Sequence, residues 1–399
     1  MSQEYQFVDE IEEEEEAGLL TPKQIAQAVL YSTDWTTGTI ISQLTQKNID
    51  LSPRFQRRDA WTIPRKSRFI ESLVLGLPVP EIVLAERKEA RGRFLVLDGK
   101  QRLLTVLQFI GQATQGKNNQ FKLSGLEVRN DLNGKSYSDF QSSSLINDLN
   151  AFNNSTIRSV VVRNWPNAAL LHLIFVRLNT GSVSLSPQEL RQALFPGEFV
   201  DFAYDKAEGS EMLKKLLGIK EPDFRMRDVE LLVRYEGFRF FLSEYAGNLR
   251  SFLDETCEKL NRQWEERQGE IRASADEFEE AIEALIKIFG EENIARKWTG
   301  TGYESRPNRA VLDIMTFYFS NRRIQGAAKK KRKAVLQAFK GLCEGNKDFL
   351  RSIETTTKSL TSTYNRLHLW GLALSKALSM RFNIPSWDDK KKRIVFEGL

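Results

Sequence analysis

Apolar positions in the first half of the chain change repeatedly between two periods. Short apolar runs of the kind that form buried strands occur at residues 49–51, 81–85, 94–97 and 158–163. Between them, apolar residues recur at helical spacing, notably over residues 63–75 and 101–111. Strands and helices mixed in this order predict an α+β domain over residues 21–200.

The second half of the chain follows one period only. Beyond Pro196 and Gly197, helical spacing predicts helices over residues 229–245, 252–267, 276–289, 309–319, 333–342 and 356–380. Ser274 followed by Glu277 has the spacing of a capping box, which predicts that a helix starts there. Residues 201–399 are therefore predicted to form an all-helical C-terminal domain.

Charge separates a short N-terminal segment from the rest. Residues 1–20 contain eight acidic side chains and no basic one, a composition that predicts a disordered acidic tail. Removing those eight from the 53 acids leaves 45 against 58 bases, a net charge of +13 for residues 21–399. So positive a net charge over residues 21–399 favours binding of polyanions such as nucleic acid, although a solvated surface of mixed charge explains this total equally well.

Composition also limits the cellular setting. Two cysteines are too few for a disulfide framework or a zinc ribbon. The acidic N-terminus lacks the basic and apolar regions of a secretory signal, and the longest apolar run, near residues 168–176, is half a membrane span. These features predict a soluble, cytoplasmic protein that does not bind a membrane.

The clearest candidate site is the polar stretch where a predicted strand meets a predicted helix. Asp98-Gly99-Lys100-Gln101-Arg102 follows the apolar run 94–97 and precedes the helix. Free backbone N–H groups and the helix dipole make such a junction a natural anion site, to which Lys100 and Arg102 would add cations. A plain Asp-Gly turn, with Asp98 capping the helix, explains the first two residues but not the three that follow.

Two other segments have the same polar, arginine-bearing character. Gln56 and Arg57 lie between the aromatic residues Phe55 and Trp61, and Arg177 and Asn179 precede a Thr-Gly turn. Each segment alone is a weak signal, because arginines are usually surface residues. Three such segments in one predicted domain are a stronger signal than any one of them, although the sequence does not show that they meet.

These segments, taken in order, resemble a known family. The N-terminal, GmrS-like domain of GmrSD-type restriction endonucleases has similar segments, and its motif at the strand-to-helix junction is DGQQR. The segments of this chain that resemble it are FQRRDAW, LGLPVPEIVLAE, LVLDGKQRLLTVLQF and FVRLNTGSVSLSPQELR. RMRDVELLVRYEGF resembles that family's downstream segment, so the likeness covers roughly residues 35–240. Lys100 stands where the family has its first glutamine.

The resemblance implies a fold and an activity. It implies a ParB/sulfiredoxin-like N-terminal domain that binds and hydrolyses a nucleoside triphosphate in phage-defence proteins. Carried over by position, Asp98 and Arg102 would be catalytic, with Asp98 a candidate Mg²⁺ ligand. The nucleotide and its phosphates would be bound by a larger set: Gln56, Arg57, Gly99, Lys100, Gln101, Arg177 and Asn179. Mg²⁺ is the expected cofactor, and zinc, flavin and NAD are not expected.

What the sequence lacks shapes the functional hypotheses. Only two histidines occur, His172 and His368, and neither has the spacing of an HNH nuclease or a zinc site. The first hypothesis, which the resemblance implies, is a nucleoside triphosphatase that regulates DNA restriction, with the nuclease supplied by a separate partner. A non-catalytic DNA-binding module and a ParB-like nuclease acting on DNA phosphodiesters are the alternatives, and DNA is an expected partner in each.

Overall fold

The computed structural model describes residues 21–49, 51, 60–112, 120–178, 186–355 and 357–398. The chain divides into two compact units, one containing Ala17–Leu194 and the other Phe195–Leu399. We call them the sheet unit and the helical unit. Mixed α/β structure with a small sheet and a helical C-terminal region, as the sequence predicts, is confirmed.

The sheet unit is built on four strands. They are β1 (Val29–Thr36), β2 (Ile82–Arg87), β3 (Ala90–Asp98) and β4 (Thr156–Arg163). The order across the sheet is β1-β4-β2-β3, with β2 and β4 parallel and the other two pairs antiparallel. The predicted strand at residues 49–51 is described at Ile49 and Leu51, and there Ile49 forms an isolated bridge with Phe94.

Helices cover both faces of this sheet. In chain order they are α1 (Pro22–Ile25), α2 (Thr37–Thr45), α3 (Ile63–Val74), α4 (Lys100–Phe109), α5 (Tyr137–Phe140), α6 (Ile146–Asn154), α7 (Ala168–Leu178) and α8 (Pro187–Leu194). Leu84, Val96 and Val161 belong to the core that α2, α3, α4 and α6 cover. Since Val83, Leu95 and Leu97 are buried as well, these strands are apolar at consecutive positions.

The helical unit is a bundle. Its helices are α9 (Glu198–Gly209), α10 (Glu211–Leu217), α11 (Arg227–Phe241), α12 (Leu249–Arg262), α13 (Trp264–Phe289), α14 (Arg309–Phe319), α15 (Arg322–Lys330), α16 (Arg332–Gly345), α17 (Lys347–Glu354) and α18 (Leu360–Leu378). Helix α11 packs against α9, α12, α13 and α14, and α18 packs against α14, α16 and α17. The bundle core therefore forms around α11 and α18.

Two predictions for this unit were wrong. A hairpin of two strands, β5 (Ser386–Asp388) and β6 (Arg393–Val395), means that the C-terminal region is not all helical. Each strand has three residues, which is too short for a period-two pattern to register. Ser274 lies inside α13, which begins ten residues earlier at Trp264, and its hydroxyl donates to Glu236 Oε2 at 2.8 Å.

Candidate functional site

The backbone of Gly99 fixes the turn between β3 and α4. We call residues 98–102 at this turn the elbow. Leu95, Val96 and Leu97, near the end of β3, are buried in the core. Helix α4 begins three residues later, at Lys100. Gly99 has a φ of 92°, a left-handed conformation that suits glycine. A Cβ at this position would lie 2.6 Å from Ile82 Cγ2, so a glycine is needed for contact with β2 as well.

Asp98 and Arg102 form an ion pair across the first turn of α4. Arg102 Nη2 donates to Asp98 Oδ2 at 2.7 Å and to the Glu81 carbonyl oxygen at 2.8 Å. Gly99 is the N-cap residue of α4, and the helix has no side-chain cap hydrogen bond at this end. Asp98 therefore does not cap the helix. The arginine is 5% exposed and the carboxylate 14%, which leaves Asp98 within reach of a ligand.

Lys100 is held by a residue that the sequence reasoning did not single out. Its ammonium pairs with Glu189 Oε1 on α8, and both side chains are buried. Glu189 Oε2 also accepts from the Ser186 amide at 2.6 Å, while the Ser186 hydroxyl accepts from the Glu189 amide at 3.1 Å. Ser186-Pro187-Gln188-Glu189 is thus a capping box with proline at the first helical position, a signal that was present in the sequence.

Gln101 connects the elbow to the segment that ends in Trp61. Its buried Oε1 accepts from the Ala60 amide at 3.3 Å. Gln56 and Arg57, a few residues earlier, lie outside the described residues, as does Asn179. Arg177 is exposed in the last turn of α7, and no contact with the elbow appears among the described side chains. Of the predicted site residues, the structure brings Asp98, Gly99, Lys100, Gln101 and Arg102 together.

The elbow's cations are already matched with carboxylates. Arg102 binds Asp98 and Lys100 binds Glu189, whereas the sequence suggested that both cations would face phosphate. The Lys100 ammonium is buried in its pair with Glu189. Phosphate binding by Lys100 stays a prediction. The Asp98 carboxylate, 14% exposed, lies beside the N-terminal turn of α4, which has no side-chain cap.

The two histidines have other surroundings. His172 is buried in α7, and His368 Nδ1 lies 2.8 Å from the Pro385 carbonyl oxygen while its ring stacks on Tyr364. Over the part of the chain that the structure describes, no three His, Cys, Asp or Glu side chains are grouped as metal ligands. No helix there is long and apolar enough to cross a membrane.

Comparison with known proteins gives one finding. Residues 39–196 match the family model described as the GmrSD restriction endonuclease, N-terminal domain. Neither the search of curated proteins nor the search of solved structures gave a match. The matched range includes β2, β3, β4 and α4, so it contains the whole elbow.

Proposed function

We propose that residues 39–196, a domain of the GmrSD restriction endonuclease N-terminal family, bind and hydrolyse a nucleoside triphosphate. The family connects the chain to restriction and phage defence. In our proposal, turnover at the elbow regulates DNA cleavage by a separate nuclease partner. The observation that carries the proposal is Asp98, held by Arg102 beside the uncapped start of α4.

The elbow has groups suited to a terminal phosphate. The first amides of α4 have no partner within the helix and lie at the positive end of its dipole. Gly99 supplies the left-handed turn from which these amides begin. Phosphate oxygens that accept from these amides would place the nucleotide next to the Asp98 carboxylate. We therefore assign phosphate binding to the backbone and not chiefly to Lys100.

Asp98 is assigned the role that needs a negative charge. Phosphoryl transfer depends mostly on positioned charges and on an oriented water. Mg²⁺ would neutralise phosphate charge, and a single reachable carboxylate suits an ion bound largely through substrate phosphates. Arg102 fixes the direction in which Asp98 points, through the 2.7 Å pair and its bond to the Glu81 carbonyl. Arg102 is thus a positioning residue that also adds charge near the amides.

The test is turnover by the full chain. Wild-type protein with Mg²⁺ should release phosphate from at least one of the four nucleoside triphosphates, in the presence or absence of DNA. Asp98→Asn should lose most of that activity and remain folded. Arg102→Ala should lose turnover through misplacement of Asp98, so the double variant should be little slower than either single variant.

Asp34→Asn is the matched control. Asp34 lies on β1 in the same unit, with its carboxylate 62% exposed and 3.8 Å from Arg158 Nε. The substitution has the same chemistry away from the elbow and should leave turnover unchanged. Full activity in a folded Asp98→Asn protein would remove Asp98 from the mechanism. A wild-type chain that hydrolyses none of the four nucleotides would refute the proposed function.

A further inference from the structure

A turn in the helical unit carries a run of cations that the proposed function does not use. The five residues that join α15 to α16 are all basic and exposed, and they are Lys329, Lys330, Lys331, Arg332 and Lys333. We call them the basic turn. From residue 314 to residue 343 the sequence contains eight basic side chains and no acidic one. Positive charge is therefore concentrated on one short stretch of the surface.

Two of these cations fix the basic turn to the ends of other helices. Lys331 Nζ donates to the Leu378 carbonyl oxygen at 2.8 Å and to Ser379 Oγ at 3.0 Å, at the end of α18. Arg332 Nε donates to the Ile288 carbonyl oxygen at 2.7 Å, in the last turn of α13. A cation is favourable at the negative end of a helix dipole, so both contacts stabilise the helix ends they meet. The turn is held at a corner where two helices end and α16 begins.

No carboxylate neutralises the basic turn. Over the described part of the chain, none of its five cations forms an ion pair with an Asp or Glu side chain. Glu280 and Glu283 of α13 are near enough for Lys329 to lower the pKa of each, but Arg322 and Lys287 are their main partners. Arg322 lies 2.7 Å from Glu280, and Lys287 lies 2.5 Å from Glu283. The neighbouring acids are thus already paired.

These charges match a ligand with many phosphates. Exposed cations without carboxylates among them repel one another, and a polyanion relieves that repulsion. Double-stranded DNA carries one negative charge about every 1.7 Å along its axis. The start of α16 has no side-chain cap, so its first amides are further donors for phosphate oxygens. Contacts of this kind hold the DNA backbone without reading its sequence.

An anionic membrane surface fits the basic turn less well. Segments that lie on membranes combine basic residues with apolar side chains that enter the lipid. Among the described residues, the large apolar side chains that are exposed all lie outside residues 322–340. Within that range, Ile324, Val335 and Phe339 are buried in the bundle. The surface therefore offers charge without an apolar anchor.

We propose that the basic turn binds the phosphate backbone of double-stranded DNA. The choice of DNA as the polyanion rests on the proposed function, through the family's connection with restriction. The surface itself belongs to the helical unit and shares no residue with the elbow. Its binding of DNA requires no nucleotide.

The experiment measures the affinity of the full chain for a fluorescent DNA duplex by anisotropy, in the absence of nucleotide. Lys329, Lys330 and Lys333 bond to no other side chain in the described structure, so replacing all three with glutamine should preserve the fold. Thermal unfolding checks this. The affinity should fall at least about tenfold at about 50 mM salt. The slope of log K against log salt should become shallower by about 2–3, because fewer counterions are released. Replacing the same three lysines with arginine should preserve both the affinity and the slope.

A second triple variant controls for net charge. Lys390, Lys391 and Lys392 are also exposed and consecutive, in the turn between β5 and β6. Asp388 and Asp389 lie beside them and offset part of their charge. Replacing these lysines with glutamine removes the same charge from the same unit, and should weaken binding by less than about twofold. Equal weakening by the two glutamine variants would overturn the proposal, because affinity would then depend on total charge.

Two further outcomes separate the possibilities. Binding of wild-type protein to anionic phospholipid vesicles, lost in the variant at the basic turn and without binding to DNA, would overturn the proposal in favour of a membrane surface. A chain that binds DNA through the basic turn but hydrolyses no nucleotide would support this inference and refute the proposed function. Hydrolysis by a chain whose DNA affinity ignores the basic turn would do the reverse.

Discussion

At the scale of single residues, the elbow depends on an ion pair that crosses from α4 to α8. Lys100 and Glu189 are 5% and 3% exposed, and Glu189 also closes the capping box with Ser186. Removing one partner of a buried pair leaves the other charge uncompensated, at a cost of about 3–5 kcal/mol. Replacing both by apolar side chains avoids that cost, so the two charges should be strongly coupled.

A double-mutant cycle tests this coupling. We expect Lys100→Met and Glu189→Leu to lower the unfolding free energy by about 3–5 kcal/mol each. The double variant should lose at least about 1 kcal/mol less than the sum of the two. Denaturant unfolding of the four proteins gives the cycle. Simple additivity would show that the two side chains do not depend on each other.

A matched pair at the surface provides the comparison. Lys287 and Glu283 of α13 also form an ion pair, but both side chains are about half exposed. Exposed pairs contribute little, because water solvates the charges when the partner is removed. The cycle for Lys287→Met and Glu283→Leu should therefore give a coupling near zero.

At the scale of elements, the turn from β3 to α4 should accept no side chain at Gly99. Gly99→Ala meets two penalties, the left-handed φ of 92° and the 2.6 Å approach to Ile82 Cγ2. Together they should cost about 2–4 kcal/mol of unfolding free energy. Denaturant unfolding measures the loss, and nucleotide binding should fall with it because the start of α4 is displaced.

Gly92 separates the two penalties. It also has a positive φ, 80°, but an added Cβ there would have no atom within 4 Å. Gly92→Ala should therefore cost only the conformational part, about 1–2 kcal/mol. If the two alanine variants were equally stable, contact with Ile82 would have no role in fixing the elbow.

The elements themselves differ in how far sequence predicts them. Strands β2, β3 and β4 were predicted because their consecutive apolar residues are buried on both faces of the sheet. Strand β1 was missed because Val29, Leu30 and Tyr31 are exposed and no alternation appears, whereas β3, at the other edge of the sheet, is buried over residues 94–97. Burial of the strand by helices from distant parts of the chain, such as α7 and α8 on β3, decided which strands the pattern reveals.

The candidate site follows the same rule. Asp98 to Arg102 could be found locally, since five consecutive residues without a hydrophobic side chain interrupt an apolar pattern. The pairing of Lys100 with Glu189 could not, because it joins positions 89 residues apart. The capping box at Ser186, which the sequence analysis did not use, would have placed Glu189 in the first turn of a helix but not against Lys100. Local patterns locate the site, and packing of α8 on β3 decides how its charges are used.

At the scale of the whole molecule, stability should depend on pH through a buried acid in the helical unit. Glu236 of α11 is fully buried, and burial raises its pKa to about 8 from 4.5. The Ser274 hydroxyl and Arg239 oppose the shift, whereas Glu277 and Glu270 add to it. Because the folded state holds this proton more tightly than the unfolded state, the contribution is fully present below pH 4.5. It is lost as the pH rises toward 8.

Glu236→Gln should therefore flatten the pH dependence of stability. The amide cannot ionise and can still accept from Ser274. As the pH rises from 5 to 8, the unfolding free energy of wild type should therefore fall relative to that of the variant by up to about 1.4 kcal/mol per pH unit. Denaturant unfolding at several pH values measures the difference. Glu283→Gln on α13 is the control, since that carboxylate is half exposed and the adjacent Lys287 lowers its pKa. Its difference from wild type should be constant above pH 5. A constant difference for Glu236→Gln as well would mean that Glu236 is ionised throughout, with its charge compensated inside the bundle.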